Sequence, residues 1–108
     1  QGNNRKLQEA LMRAIEWSQD ALEDFEAAIG YISADSRVAA TLIADRLFEA
    51  LDRLADMPSG RHGSVQGTYE KFVRNTPYVI AYAVSDRTIT VLRIVHALRD
   101  WPAGEWPA

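Results

Sequence analysis

The order of apolar patterns along this chain predicts an α+β domain, β-α-α-β-β-β, in which an antiparallel sheet carries an antiparallel helix hairpin on one face. Three observations lead there. Residues 77–101, PYVIAYAVSDRTITVLRIVHALRDW, hold two runs rich in β-branched and aromatic residues around a polar Ser85-Asp86-Arg87 turn, which is the composition of a strand hairpin. Residues 18–57 show helical periodicity twice, with Asp35-Ser36 between the two stretches. Neither face of the hairpin is polar throughout, so helices must cover one side, and the chain's own tail or a partner the other.

The elements follow in order. Arg13-Ala14-Ile15-Glu16-Trp17 alternates polar and apolar, which predicts a first strand; the alternative is that the helix-favouring LQEAL continues through Trp17. Met12 reads as a natural start. Residues 1–11 are then a tag, an upstream extension or a borrowed peptide, and 12–108 form a single domain. Ser18 is an N-cap for a helix with Leu22, Phe25, Ile29 and Ile32 on one stripe. Ser36 caps a second helix, whose stripe is Ala39, Ile43, Leu47, Ala50 and Leu54, widened by Leu42 and Leu51. PSGRHGSVQG is a loop, Thr68 to Arg74 a strand, and Asn75-Thr76-Pro77 the turn into the hairpin. Strand alternation directs Ile80, Tyr82, Val84, Leu92 and Ile94 one way and Val79, Ala81, Ala83, Val91 and Val95 the other. Ala103 to Ala108 reads as a loose end except where Trp106 packs.

At 108 residues and 47% hydrophobic composition, the chain is long enough to bury one core. It has no cysteine, which excludes disulfides, thiolate metal sites and thiol nucleophiles. No window reaches the roughly 18 apolar residues of a membrane span, and QGNNRKLQEAL lacks a signal-peptide core, so a cytoplasmic protein is expected. The net charge of -3 is unevenly spread. Residues 1–57 carry six Lys/Arg against eleven Asp/Glu, and residues 58–108 carry six against four. Any anionic partner is therefore expected to meet the sheet half, unless the charges are only the solvated faces of helices.

WSQDALEDFEAAIGYI after a short strand, then RLFEALDRLADMPSGR, TPYVIAYAV and VLRIVHALRDW, resembles a RelE/ParE-family toxin of bacterial type II toxin–antitoxin systems, over Met12 to about Trp101. The resemblance implies one of two activities. One branch cleaves mRNA on the ribosome, using cations to stabilise a phosphorane-like charge and a general acid or base to move the 2′-hydroxyl proton. Arg74 and Arg99 fall where that branch places arginines, and His96 where some members place a histidine. However, Gly60–Gly67 holds no lysine pair and no tyrosine follows Arg99. A histidine between Val95 and Ala97 is also commonly a packed, hydrogen-bonded one. The other branch poisons DNA gyrase and has no recognised catalytic residues.

A net negative chain is poorly matched to a dense field of ribosomal RNA phosphates, which favours the ParE-like, gyrase-directed branch. The expectation is therefore a toxin that inhibits gyrase rather than an enzyme, needs no metal or cofactor, and does not bind DNA directly. It is neutralised by a cognate antitoxin, as a hetero-oligomer. An mRNA interferase is the alternative, and a non-toxic interaction module of the same fold a further one. Arg61, Tyr69, Lys71, Arg74 and Arg93 are expected to meet the antitoxin on the sheet. Arg99, Trp101 and Trp106 are assigned to a partner contact because Trp and Arg dominate binding hot spots.

Overall fold

A computed structural model of the chain describes residues 12–63 and 65–98. The segment 1–11, the tail Ala103–Ala108 and the candidate residues Arg99, Trp101 and Trp106 lie outside the described residues. The elements run β1 (Ala14–Trp17), α1 (Gln19–Asp35), α2 (Arg37–Asp56), β2 (Arg61–His62), β3 (Tyr69–Phe72), β4 (Tyr78–Val84) and β5 (Thr88–His96). They make the expected α+β arrangement, with the helix pair packed on the sheet, and they add two features.

First, the sheet is mixed. Its order is β1-β5-β4-β3-β2, and β1 pairs with β5 in parallel, whereas the other pairings are antiparallel. The long crossover through both helices supplies what a parallel pairing requires, a connection of a dozen residues or more. Second, the Gly-rich loop contributes the two-residue strand β2, which pairs with β3 through Arg61 and Glu70. Gly60 leads into it, where a Cβ would lie 2.7 Å from both the Glu70 carbonyl oxygen and the Tyr82 hydroxyl. The close approach of chain to chain there needs glycine.

Both helix starts are set locally. Ser18 sits in extended backbone and its Oγ accepts from the Ala21 N–H at 3.0 Å, satisfying one of the orphan donors of the first turn. Ser36 closes α1 by donating its N–H to the Ile32 carbonyl at 2.9 Å and opens α2 by accepting from Ala39 at 3.1 Å. A single residue thus joins the two helices.

Helix α1 turns Ala21, Phe25, Ala28 and Ile32 to the core and leaves Leu22 exposed, a rotation away from the expected stripe. On α2 the inward residues are Leu47, Ala50, Leu51 and Leu54, while Leu42 is exposed. They meet Tyr78, Ile80, Tyr82, Ile89, Val91 and Ile94 of the hairpin. Each fully buried Leu or Ile there contributes on the order of 1.5–3 kcal/mol by leaving water. Trp17, Phe25 and Phe48 close one end of this layer, with Trp17 and Phe25 edge-to-face at 5.6 Å.

Val91, not Leu92, reaches the core, and the cause is a β-bulge. Ala81 pairs with Arg93 but Tyr82 pairs with Val91, so Leu92 is an extra residue in β5 and the alternation changes phase across it. On the face away from the helices, Val79, Ala81 and Val95 are buried as well. The far side of the hairpin is therefore not an open apolar surface.

Candidate functional site

Helix α2 and the strand β3 with its following turn enclose a groove of about 570 Å³. Arg46, Glu49 and Arg53 stand at i, i+3 and i+7 on α2 and so share one face of the helix. Lys71, Phe72, Val73, Arg74 and Asn75 form the opposite wall, and Ala50 and Val73 are buried at the floor. Arg46 donates from Nη1 to the Asn75 carbonyl at 3.0 Å, holding the turn against the helix. Asn75 itself has φ 63°, the left-handed region that asparagine tolerates better than most side chains. Lys71 donates from Nζ to Ser59 Oγ at 3.2 Å. Among the described residues, Arg53 and Arg74 make no salt bridge. The groove thus gathers four cations around one carboxylate, Glu49, over an apolar floor.

Of the residues expected to bind a partner, Lys71 and Arg74 line this groove. Arg61 belongs to the neighbouring β2, where it pairs with the buried Glu70 at 3.3 Å and lies over the Phe72 ring at 4.8 Å. Tyr69 stacks on Tyr82, ring centres 5.7 Å apart. Burial first, and the Tyr69 phenol second, push the Tyr82 hydroxyl's pKa up, so it stays a neutral donor, here to the Ser59 carbonyl at 3.1 Å.

Arg93 lies elsewhere, beside α1. The bulge aims it at Asp24, to which it donates from Nε at 2.7 Å and Nη2 at 3.0 Å, while the Ile94 N–H donates to the same carboxylate at 2.9 Å. This bidentate fork is a structural clamp between helix and sheet. Sequence reasoning missed Arg46 and Arg53. Their i, i+7 spacing was visible, but the acidic sum of the first half concealed it.

Of the nuclease candidates, the two described ones, Arg74 and His96, do not share a groove. Arg74 lines the basic one, whereas His96 lines an apolar notch of about 390 Å³ with Tyr31, Ile32, Ile43, Pro77 and Tyr78. The His96 ring meets Tyr78 edge-on at 5.4 Å, and its Nδ1 accepts from the Leu98 N–H at 3.2 Å. Among the described residues, no group of three or more His, Cys, Asp or Glu side chains could hold a metal ion, and no helix is long and apolar enough to cross a membrane.

This chain is 39% identical over 88 residues to toxin RelE2 of Caulobacter vibrioides, covering 82% of itself and 99% of the relative. It is 35% identical over 91 residues to the Y4kP protein of Sinorhizobium fredii, which is named as a candidate toxin, covering 83% and 94%. A solved chain of a chromosomal ParDE toxin–antitoxin system from P. aeruginosa superposes with a TM-score of 0.70 at 21% identity, over 79% of this chain and 96% of that one, a likeness of fold. Residues 15–101 match the family described as the ParE toxin of the type II toxin–antitoxin system, parDE. Taken with the helix pair on its mixed sheet, that match makes the chain a member of the ParE toxin family of type II toxin–antitoxin systems.

Proposed function

We propose that this toxin acts in the cytoplasm by inhibiting DNA gyrase and that a cognate antitoxin neutralises it. The observation that carries this reading is the separation of Arg74 from His96. Cleavage by an attacking 2′-hydroxyl needs a proton acceptor and a cation at the same phosphate, within hydrogen-bond reach of the reacting atoms. Here His96 packs on Tyr78 in an apolar notch, with Nδ1 engaged by the Leu98 N–H, while Arg74 faces another groove. Membership of the ParE family supports the same choice, and the match to a ParDE system supports an antitoxin as the partner.

The basic groove is what favours the second reading, ribosome-dependent mRNA cleavage, because Arg46, Arg53, Lys71 and Arg74 together suit a phosphate chain. One preparation of purified toxin decides between the two. In a supercoiling assay with gyrase, ATP and relaxed plasmid, supercoiling is expected to be lost while cleaved plasmid accumulates, and an in vitro translation reaction run beside it should proceed. Unaffected gyrase at saturating toxin, with translation blocked and codon-specific cuts that vanish in His96→Ala, would reverse the assignment.

A further inference from the structure

We infer that the N-terminal half of α2 presents a self-complementary face through which two copies of this toxin associate, antiparallel, about a two-fold axis at Thr41. The apolar part comes first. Val38 is 80% exposed and Leu42 47% exposed, and with Arg37, Thr41 and Asp45 they line a shallow cleft of about 420 Å³. Residues 38, 41, 42 and 45 follow the i, i+3, i+4, i+7 spacing of a single helix face. Helix α2 already buries Leu47, Leu51 and Leu54 against the sheet, so this second apolar strip adds nothing to the core.

The charges say what covers the strip. Arg37 stands four residues before Thr41, and Asp45 four residues after it. Those eight residues of helix set the two charges about 12 Å apart along the axis, too far to pair within one chain. Among the described residues, neither makes a salt bridge. A two-fold axis at Thr41 turns Arg37 of one copy onto Asp45 of the other, and does so twice, because every pairing in an isologous contact recurs. The same axis brings Val38 of one copy beside Leu42 of the other.

The helix itself favours such a carboxylate. Arg37 is the first residue of α2, where the helix dipole disfavours a cation, and no acidic residue stands in the first turn to offset it. A partner of another kind fits less well. One cation and one anion cancel, so the face exerts no net pull on a nucleic acid or on a charged segment. Placement symmetric about Thr41 is a requirement only of a like copy. The face is small, five lining residues against the roughly 20–30 per side of a standard interface, so the dimer is weak and forms at about 100 µM or above. It shares no lining residue with the basic groove and does not depend on which target or antitoxin the toxin meets.

The test is sedimentation equilibrium of the purified full chain from about 10 µM to about 1 mM, in about 50 mM salt so that the ion pairs are weakly screened. Wild type is expected to pass from monomer towards dimer across that range. Arg37→Asp and Asp45→Arg each set like charges against each other at both ends, and either alone should weaken association about tenfold or more. An equimolar mixture of the two variants should regain it to within about threefold, as should both swaps in one chain. Neither a misfolded protein nor a contact elsewhere on the surface would show that rescue. Because the chain has no cysteine, Thr41→Cys carries its sole thiol, and oxidation should cross-link it across the axis faster than Asp86→Cys in the turn between β4 and β5. Wild type that stays monomeric throughout, association that survives both single swaps, swaps that the mixture does not rescue, or equal cross-linking at the two positions would each overturn the inference.

Discussion

Ser18 joins three parts of the fold through one small side chain. Its hydroxyl caps α1 through the Ala21 N–H and also donates to the Leu92 carbonyl at 2.9 Å, while its own N–H donates to the Val91 carbonyl at 2.9 Å. Ser18→Ala therefore loses a cap and leaves the Leu92 carbonyl at the bulge without that donor. A loss of about 2 kcal/mol is expected, against about 1 kcal/mol for Ser36→Ala, where the cap to Ala39 goes but the backbone bond to Ile32 stays. Urea denaturation at neutral pH measures both, and equal losses would contradict the second role of Ser18. Both caps were legible in the sequence because capping is local: a Ser followed by helix-forming residues carries its own reason. The bond from Ser18 to Leu92 was not, since it spans 74 positions. The basic groove divides in the same way. Lys71 and Arg74 stood out in a half with few acids, whereas Arg46 and Arg53 were submerged among the acids of α2 until folding put them opposite the strand.

The bulge in β5 is where strand alternation stopped predicting the faces. An uninterrupted period of two sends Leu92 inward and Val91 outward; the extra residue reverses them. Nothing within the hairpin announces this, because the element that rewards it is Asp24, 69 positions before Arg93, whose carboxylate holds both the guanidinium and the Ile94 N–H. The same clamp accounts for the rotation of α1, since facing Ala21 and Ala28 to the sheet brings Asp24 within reach of β5. Asp24→Ala is expected to cost about 2–3 kcal/mol, because it removes the carboxylate that holds a partly buried cation and a backbone donor together. In a double-mutant cycle with Arg93→Ala, the coupling should be about 1 kcal/mol or more, and additivity within about 0.5 kcal/mol would show that the clamp is idle.

The class of the fold was readable because helix and strand periods differ, and the layer order followed from which faces were apolar. The placement of β1 was less accessible: four residues, AIEW, state that they are a strand but not which edge they join or in which direction. Only the completed hairpin offers them β5, so the first strand of the chain depends on the last. In a chevron analysis, Ile15→Ala should speed unfolding and barely slow folding, with φ below about 0.3, whereas Ile80→Val within the hairpin should slow folding measurably. A large effect of Ile15→Ala on the folding rate would show that the edge docks early. Contacts of such long sequence separation are slow to form. On a translating ribosome, β1 emerges first and stays unpaired until Thr88–Val91 has been made, with α1 and α2 meanwhile holding apolar stripes that have no sheet to cover. A chain still in synthesis therefore has no finished sheet until its last strand is made, and any other strand that met the open edge of β5 first would compete with β1 for it.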